Sequence, residues 1–432
     1  NALEYLLKTN MEEVDDCSNF FTGATDTDWN KTTNWSKGTI PNYETRARIL
    51  APCVVSTTAH AAAIDIATGG TSVNKAGTCN GSLTINANGA LVVGGEVRVA
   101  TAPYFSKGKL QPTGVNDLVL NTNGSNQACL IFDNKKGDTK ATVNMYSLGR
   151  VITSTYQFQY MAVPMEVVPV NPSFANETHG GTIILTYVWN ENGGWSRRGY
   201  YEDLYAFEGI GITTTSTSAL NYQMKGNLTS TAEKEIALTN GSGAAYANNI
   251  IGNSWSAPID IASLKDAIGD DASVQKTVYI YCTGKDGENA TSGTSGDAGQ
   301  WLAIPIDGSG WSGWTGLKVI PSMQAFLIRT SAETSLTLNY DEVVRSTATS
   351  NLNEPLRAPK RESTDGDISL TTIHVADSKT FADLRLFEGE RFDETFDNGW
   401  EAEYLPCDGR TATLYAETEI GKMAVLATPE LE

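Results

Sequence analysis

Histidine is nearly absent. The 432 residues contain three, His60, His179 and His374, in different segments and without HExxH or HxH spacing. That removes the commonest general base and the commonest metal ligand as an organised set. No GxSxG nucleophile elbow and no GxxxxGK[ST] phosphate loop occurs. Long apolar runs are also lacking, so no segment approaches the roughly 20 residues of a membrane helix. The start, Asn1-Ala2-Leu3-Glu4-Tyr5, has no basic n-region leading into an apolar h-region. Basic charge is scarce: 31 Lys and Arg face 50 Asp and Glu, a net of −19. A chain of that sign has no stripe to neutralise phosphates, which argues against nucleic acid and against anionic lipid. Six cysteines, Cys17, Cys53, Cys79, Cys129, Cys282 and Cys407, include no CxxC and no Cys/His cluster, so a zinc site is not expected.

What is abundant is turn chemistry. Forty glycines and many Asn, Ser and Thr separate short alternating runs, such as Ser82-Leu83-Thr84-Ile85, Ala90-Leu91-Val92-Val93 and Glu96-Val97-Arg98-Val99. The fold class is therefore all-β and multidomain. Two helices are expected: a short N-terminal one within 2–16, where Leu3, Leu6, Leu7 and Met11 keep helical spacing, and one over 261–268 stopped by Gly269. Residues 1–19 form the helical segment. Residues 20–115, small-residue-rich and poor in charge, read as a solenoid or β-helix-like stack, with a plain sandwich as the alternative because no fixed period emerges. Residues 116–345 suit a β-sandwich. The polar, proline-bearing stretch 346–366 reads as a linker. Residues 367–432 begin a further β-domain, expected to be incomplete.

The segment Asp28-Trp29-Asn30-Lys31-Thr32-Thr33-Asn34-Trp35-Ser36-Lys37-Gly38-Thr39-Ile40-Pro41 is local enough to fold as one corner. Further along stand Gly252-Asn253-Ser254-Trp255-Ser256-Ala257-Pro258-Ile259-Asp260, Ile320-Pro321-Ser322-Met323-Gln324-Ala325-Phe326 and Phe396-Asp397-Asn398-Gly399-Trp400. Taken in order, these motifs resemble those of large secreted surface proteins of the Bacteroidota, of the kind exported by the type IX secretion system. Ser254 stands where that pattern usually has Pro, and Ala325 where it has Gly. The resemblance implies exposure at the cell surface and further domains downstream; it implies no reaction.

The leading expectation is a non-catalytic structural or adhesive protein of a bacterial cell surface, extracellular, acting by self-assembly or contact with neighbouring surface proteins, as a surface layer, filament or adhesin. The second is a glycan-binding module. Trp311 and Trp314 lie three apart among Gly and Ser, and Trp189 and Trp195 lie near Tyr200, Tyr201 and Tyr205. Planar rings of this kind stack on sugar faces when exposed and fill cores when not. The third is a polysaccharide-degrading enzyme, which would need paired carboxylates across a cleft. No cofactor is expected. Calcium has only Asp133–Asp138 and Asp365–Asp367 beside glycines, and neither follows the EF-hand pattern. Cys53 and Cys79 share one domain and are a candidate disulfide in an oxidising compartment, the alternative being buried thiols that pack as small hydrophobes.

Overall fold

A computed structural model describes residues 18–72, 75–87, 89–100, 118–123, 127–132, 139–152, 155–174, 182–190, 194–241, 246–282, 300–343, 368–376, 381–406 and 412–429. Strands dominate and the helices are short, so the all-β expectation holds. The expected N-terminal helix and the stretch 346–366 lie outside the described residues. The second expected helix is a single turn, Leu264–Ile268, ended by Gly269 at φ +64°. There a left-handed backbone suits glycine and closes the helix. The chain divides into two compact units: 1–145 with 223–231 and 351–353, and the remainder.

In the first unit most strands pair in parallel, the pair Ala63–Ser72 and Lys75–Asn80 being antiparallel. Ser18–Phe21, Arg46–Ile49, Ala63–Ser72 and Val97–Ala100 form one row. Pro52–Val55, Ser82–Ile85, Leu118–Asn121 and Lys140–Ser147 form a second. Thr58–Ala61, Ala90–Val93 and Cys129–Ile131 form a third. From Arg46 to Ile131 the described strands that pair in parallel take the three rows in rotation, so equivalent side chains fall one above another. Val55, Ile85, Leu120 and Val143 make one such column, and Ile49, Ile66 and Val99 another; all seven are buried. Each such side chain contributes about 1.5–3 kcal/mol relative to exposure. That is how short strands of small residues build a core.

Polar columns follow the same register. Asn86 Nδ2 donates to Ser56 Oγ at 2.9 Å, Asn121 Nδ2 to Asn86 Oδ1 at 3.4 Å, Asn144 Nδ2 to Asn121 Oδ1 at 2.9 Å, and Gln223 Nε2 to Asn144 Oδ1 at 3.0 Å. In the first row Asp65 stands between Arg48 and Arg98 in register. Its fully buried carboxylate accepts from Arg46 Nη1 at 3.0 Å and Arg98 Nε at 2.7 Å. A buried carboxylate is tolerated only with such partners.

The second unit is mostly antiparallel. One four-stranded sheet runs Gln159–Met161, Ile210–Thr214, Ile184–Asn190, Gly194–Arg198. Another runs Ala247–Gly252, Ala325–Thr330, Thr277–Cys282, Gln300–Pro305. A bridge between Met161 and Gln324 joins them. A five-stranded sheet contains Ser369–Ala376, Phe381–Glu388, Gly421–Thr428, Ala402–Glu403 and Ala416–Thr418. It is tied into this unit: Thr277 Oγ1 donates to the Glu401 carbonyl at 3.2 Å, the Lys276 amide to Asn398 Oδ1 at 2.7 Å, and Gln275 Nε2 to Glu403 Oε1 at 2.9 Å.

Candidate functional site

The tryptophan corner is a packing device. Trp29 is fully buried and Trp35 almost so. Their rings meet edge to face at 4.8 Å, and Trp35 does the same with Phe21 at 5.0 Å. Trp35 Nε1 donates to the Trp29 carbonyl at 2.7 Å. Asn34, also fully buried, holds the loop: its Oδ1 accepts from the Thr25 and Asp26 amides at 2.9 and 3.1 Å. Its Nδ2 donates to Asp26 Oδ1 at 2.7 Å and the Asp28 carbonyl at 2.9 Å. Hydrogen bonds from Lys31, Asn34 and the Asp28 amide hold the Asp26 carboxyl down at about 2.

Trp314 is a packing ring, and Trp311 beside it is half-buried. Trp314 is buried and lies parallel to Phe387 at 5.9 Å, with the Arg385 guanidinium 5.1 Å from its ring centroid. Trp311 meets the same Phe387 edge to face at 5.9 Å. Phe387 is fully buried and also touches Phe392 and Trp400, at 6.3 and 5.2 Å. The ring face a sugar would need on Trp314 is occupied from one side by Phe387. The ring's role is to seat the last sheet.

Trp189 and Trp195 are placed differently. They oppose one another on adjacent strands, with ring centroids 5.3 Å apart. Trp195 then approaches Tyr160 at 4.8 Å, Tyr160 approaches Tyr281 at 4.4 Å, and Tyr281 approaches Trp301 at 5.2 Å. The result is a cluster of five half-buried rings packed on one another at the seam between the two four-stranded sheets, with Tyr160 against Trp195, Tyr281 and Trp301. Gly211 makes it possible. A Cβ there would stand 3.2–3.5 Å from three atoms of the Trp195 six-membered ring, so the indole lies over bare backbone. Burial pushes the Tyr160 hydroxyl upward, and a hydrogen bond with the Trp195 side chain opposes that. Trp189 Nε1 donates to the Asn248 carbonyl at 3.0 Å. Tyr160, Tyr281 and Trp301 escape sequence reasoning because they come from three separated strands. The one local signal is the alternation in Val278-Tyr279-Ile280-Tyr281, which marks a strand without saying which ring is exposed.

Cys53 and Cys79 are both buried and are not joined to each other, so the disulfide expectation is corrected. Cys53 lies in register with Leu83 in the second row, whereas Cys79 packs with Leu50 and Ala67. Burial pushes the Cys53 thiol well up and the Cys129 thiol to about 12. Among the described residues no three His, Cys, Asp or Glu side chains gather as a metal site. Asp133–Asp138 and Asp365–Asp367 fall outside the described residues. His60 packs against Tyr43 at 4.3 Å, and His374 pairs with Asp383 at 2.7 Å on the surface. His179 is outside the described residues. Among those residues no helix is long and apolar enough to cross a membrane.

No protein-family model matches the chain, and neither a curated protein nor a solved structure is significantly similar to it.

Proposed function

We propose that this is a non-catalytic structural or adhesive protein of a bacterial cell surface that works through contacts between copies or with neighbouring surface proteins. The observation that carries the reading is the strand Ser369–Ala376. It lies at the edge of its five-stranded sheet, and seven of its eight residues are exposed. Ile373 and Val375, on one face, are 42% and 50% exposed. Natural edge strands are blunted by Lys, Pro, bulges or cover. This one, Ser-Leu-Thr-Thr-Ile-His-Val-Ala, contains no Lys, Arg, Asp, Glu or Pro. In a chain of net charge −19, copies repel over most of their surface, and an uncharged strand is where approach costs least. Such an edge adds another strand through main-chain hydrogen bonds.

Two further features agree. The parallel register of the first unit supports reading it as a solenoid, an elongated module suited to spacing. The order of the motifs at Trp29, Gly252, Pro321 and Trp400 supports the surface-protein resemblance. The test is sedimentation velocity over a wide concentration range, with and without calcium. Association is expected, and Val375→Lys should weaken it by charging the edge. A strict monomer at the highest concentration reached, in both conditions, would reject assembly.

A further inference from the structure

We infer that the strand Ser369–Ala376 pairs with the same strand of a second copy, antiparallel about a two-fold axis at Ile373, so that the two last sheets become one. The inference rests on the assembly reading of this strand and names its partner. A strand added here must bring a free edge of its own. Among the described strands of six or more residues, the others at sheet edges are charged or already flanked. Lys75–Asn80 carries Lys75, Leu220–Asn227 carries Lys225, and Glu233–Leu238 begins Glu-Lys-Glu. Ala247–Gly252 is bonded on its outer side, where the Gly252 amide donates to the Phe207 carbonyl at 3.0 Å and Ile251 bridges Glu208. Thr334–Asn339 packs against the helix Leu264–Ile268. Gln300–Pro305 ends in proline and packs against Gly421–Thr428. The bare edge that matches Ser369–Ala376 is its own in another copy.

A two-fold axis makes the contact isologous: each residue meets in the second copy the residue that meets it in return. A strand that meets itself in this way runs antiparallel, and opposed side chains share a face. With the axis at Ile373, Ile373 opposes its own copy, Thr371 opposes Val375, Thr372 opposes His374 and Leu370 opposes Ala376. No like charges meet, which matters in a chain of net charge −19. Ile373 and Val375, the exposed aliphatic side chains of the strand, both gain β-branched neighbours. An axis at Thr372 would set Val375 against Ser369, and one at His374 would shorten the ladder. On the face of Ile373 and Val375 the next strand holds Leu384 and Ala382 in register, so apolar surface runs out to the edge. On the other face His374 Nδ1 lies 2.7 Å from Asp383 Oδ1, and Asp383 Oδ2 accepts from Arg385 Nη2 at 3.0 Å. The strand's one titratable side chain is thus matched within its own sheet.

The test is disulfide trapping in the full 432-residue chain, at concentrations where sedimentation shows association, with the linked peptides identified by mass so that native cysteines are told apart. Ile373→Cys should link to itself. Opposed residues of an antiparallel pair have Cα atoms about 4.5–5.5 Å apart, inside the disulfide range of about 4.4–6.8 Å. Thr371→Cys should not link to itself, because its copy lies about 13 Å away along the ladder. Chains carrying Thr371→Cys mixed with chains carrying Val375→Cys should link to each other. Ile373→Lys should weaken association at least tenfold in sedimentation, with thermal unfolding unchanged. Association in which Ile373→Cys fails to link, in which Thr371→Cys links to itself as readily, or in which Ile373→Lys associates like the wild type would overturn this pairing and leave the assembly reading standing. A strict monomer would overturn both, so the two failures are told apart.

Discussion

Replacing Asn121 tests whether the amide column of the first unit stabilises it. Asn121 is a middle rung: its Nδ2 donates to Asn86 Oδ1 at 3.4 Å and its Oδ1 accepts from Asn144 Nδ2 at 2.9 Å. Asn121→Ala removes both bonds. Each is worth about 0.5–1.5 kcal/mol net, the longer one at the lower end. The rungs are half-buried, so water relieves part of the loss. The expected cost is therefore about 1–2 kcal/mol. For a unit of this size that lowers the melting temperature by roughly 2–4 °C per kcal/mol.

Asn121→Asp gives the sharper contrast. A carboxylate only accepts, so the bond from Asn144 survives. Asn86 must then turn its amide over and donate to the introduced carboxylate, which leaves its Oδ1 facing Ser56. The Ser56 hydroxyl can donate as well as accept, so the reversed column remains satisfied. Asn121→Asp should cost clearly less than Asn121→Ala, despite adding a charge to an acidic chain. Urea unfolding followed by the fluorescence of the buried Trp29 and Trp35 measures both. A cost for Asn121→Ala within measurement error, or a larger cost for Asn121→Asp, would refute the reasoning.

Two further outcomes are expected. Phe387→Ala empties the site on which Trp311, Trp314, Phe392 and Trp400 converge, and should cost about 3–5 kcal/mol in chemical denaturation; a loss of about 1 kcal/mol or less would mean those rings hold the sheet without it. Asp26 should titrate at about 2 by NMR, below the ordinary 3.8, so its contribution is complete above that ordinary value and is lost as pH falls through about 2. In Asn34→Ala the same carboxyl should titrate higher, and an unchanged value would show that Asn34 does not hold it.

Local signals were readable where local forces decide. Ser82–Ile85, Ala90–Val93 and Val97–Ala100 are strands as their alternation requires. The corner at Trp29 and Trp35 packs because its partners lie within a few residues. The parallel rows of the first unit were hidden for a physical reason. Arg46 meets Ala63 in register, but Ile64 meets Val97 almost twice as far along, because the antiparallel pair Ala63–Ser72 and Lys75–Asn80 is inserted between them. Parallel rows tolerate such excursions, and the excursions erase the period. The two tryptophan groups were not separable in sequence. Trp314 is covered by Phe387, and Trp195 lies between Gly211 and Tyr160; none of these partners adjoins its ring in the chain. The edge strand 369–376 was likewise readable as a strand beginning at Ile368, while its exposure depends on what lies beside it.

The last sheet also has a mechanical meaning. Phe381–Glu388 and Gly421–Thr428 run parallel, with Arg385, Leu386, Phe387 and Glu388 opposite Val425, Leu426, Ala427 and Thr428. Tension along Gly421–Thr428 therefore slides one strand lengthwise past the other, and the paired bonds share the load. They do not open one at a time as in a peeled hairpin. Phe387 sits in that loaded row with its ring locked among Trp311, Trp314 and Trp400, so force reaching the strand passes into a knot of rings before it reaches the rest of the unit.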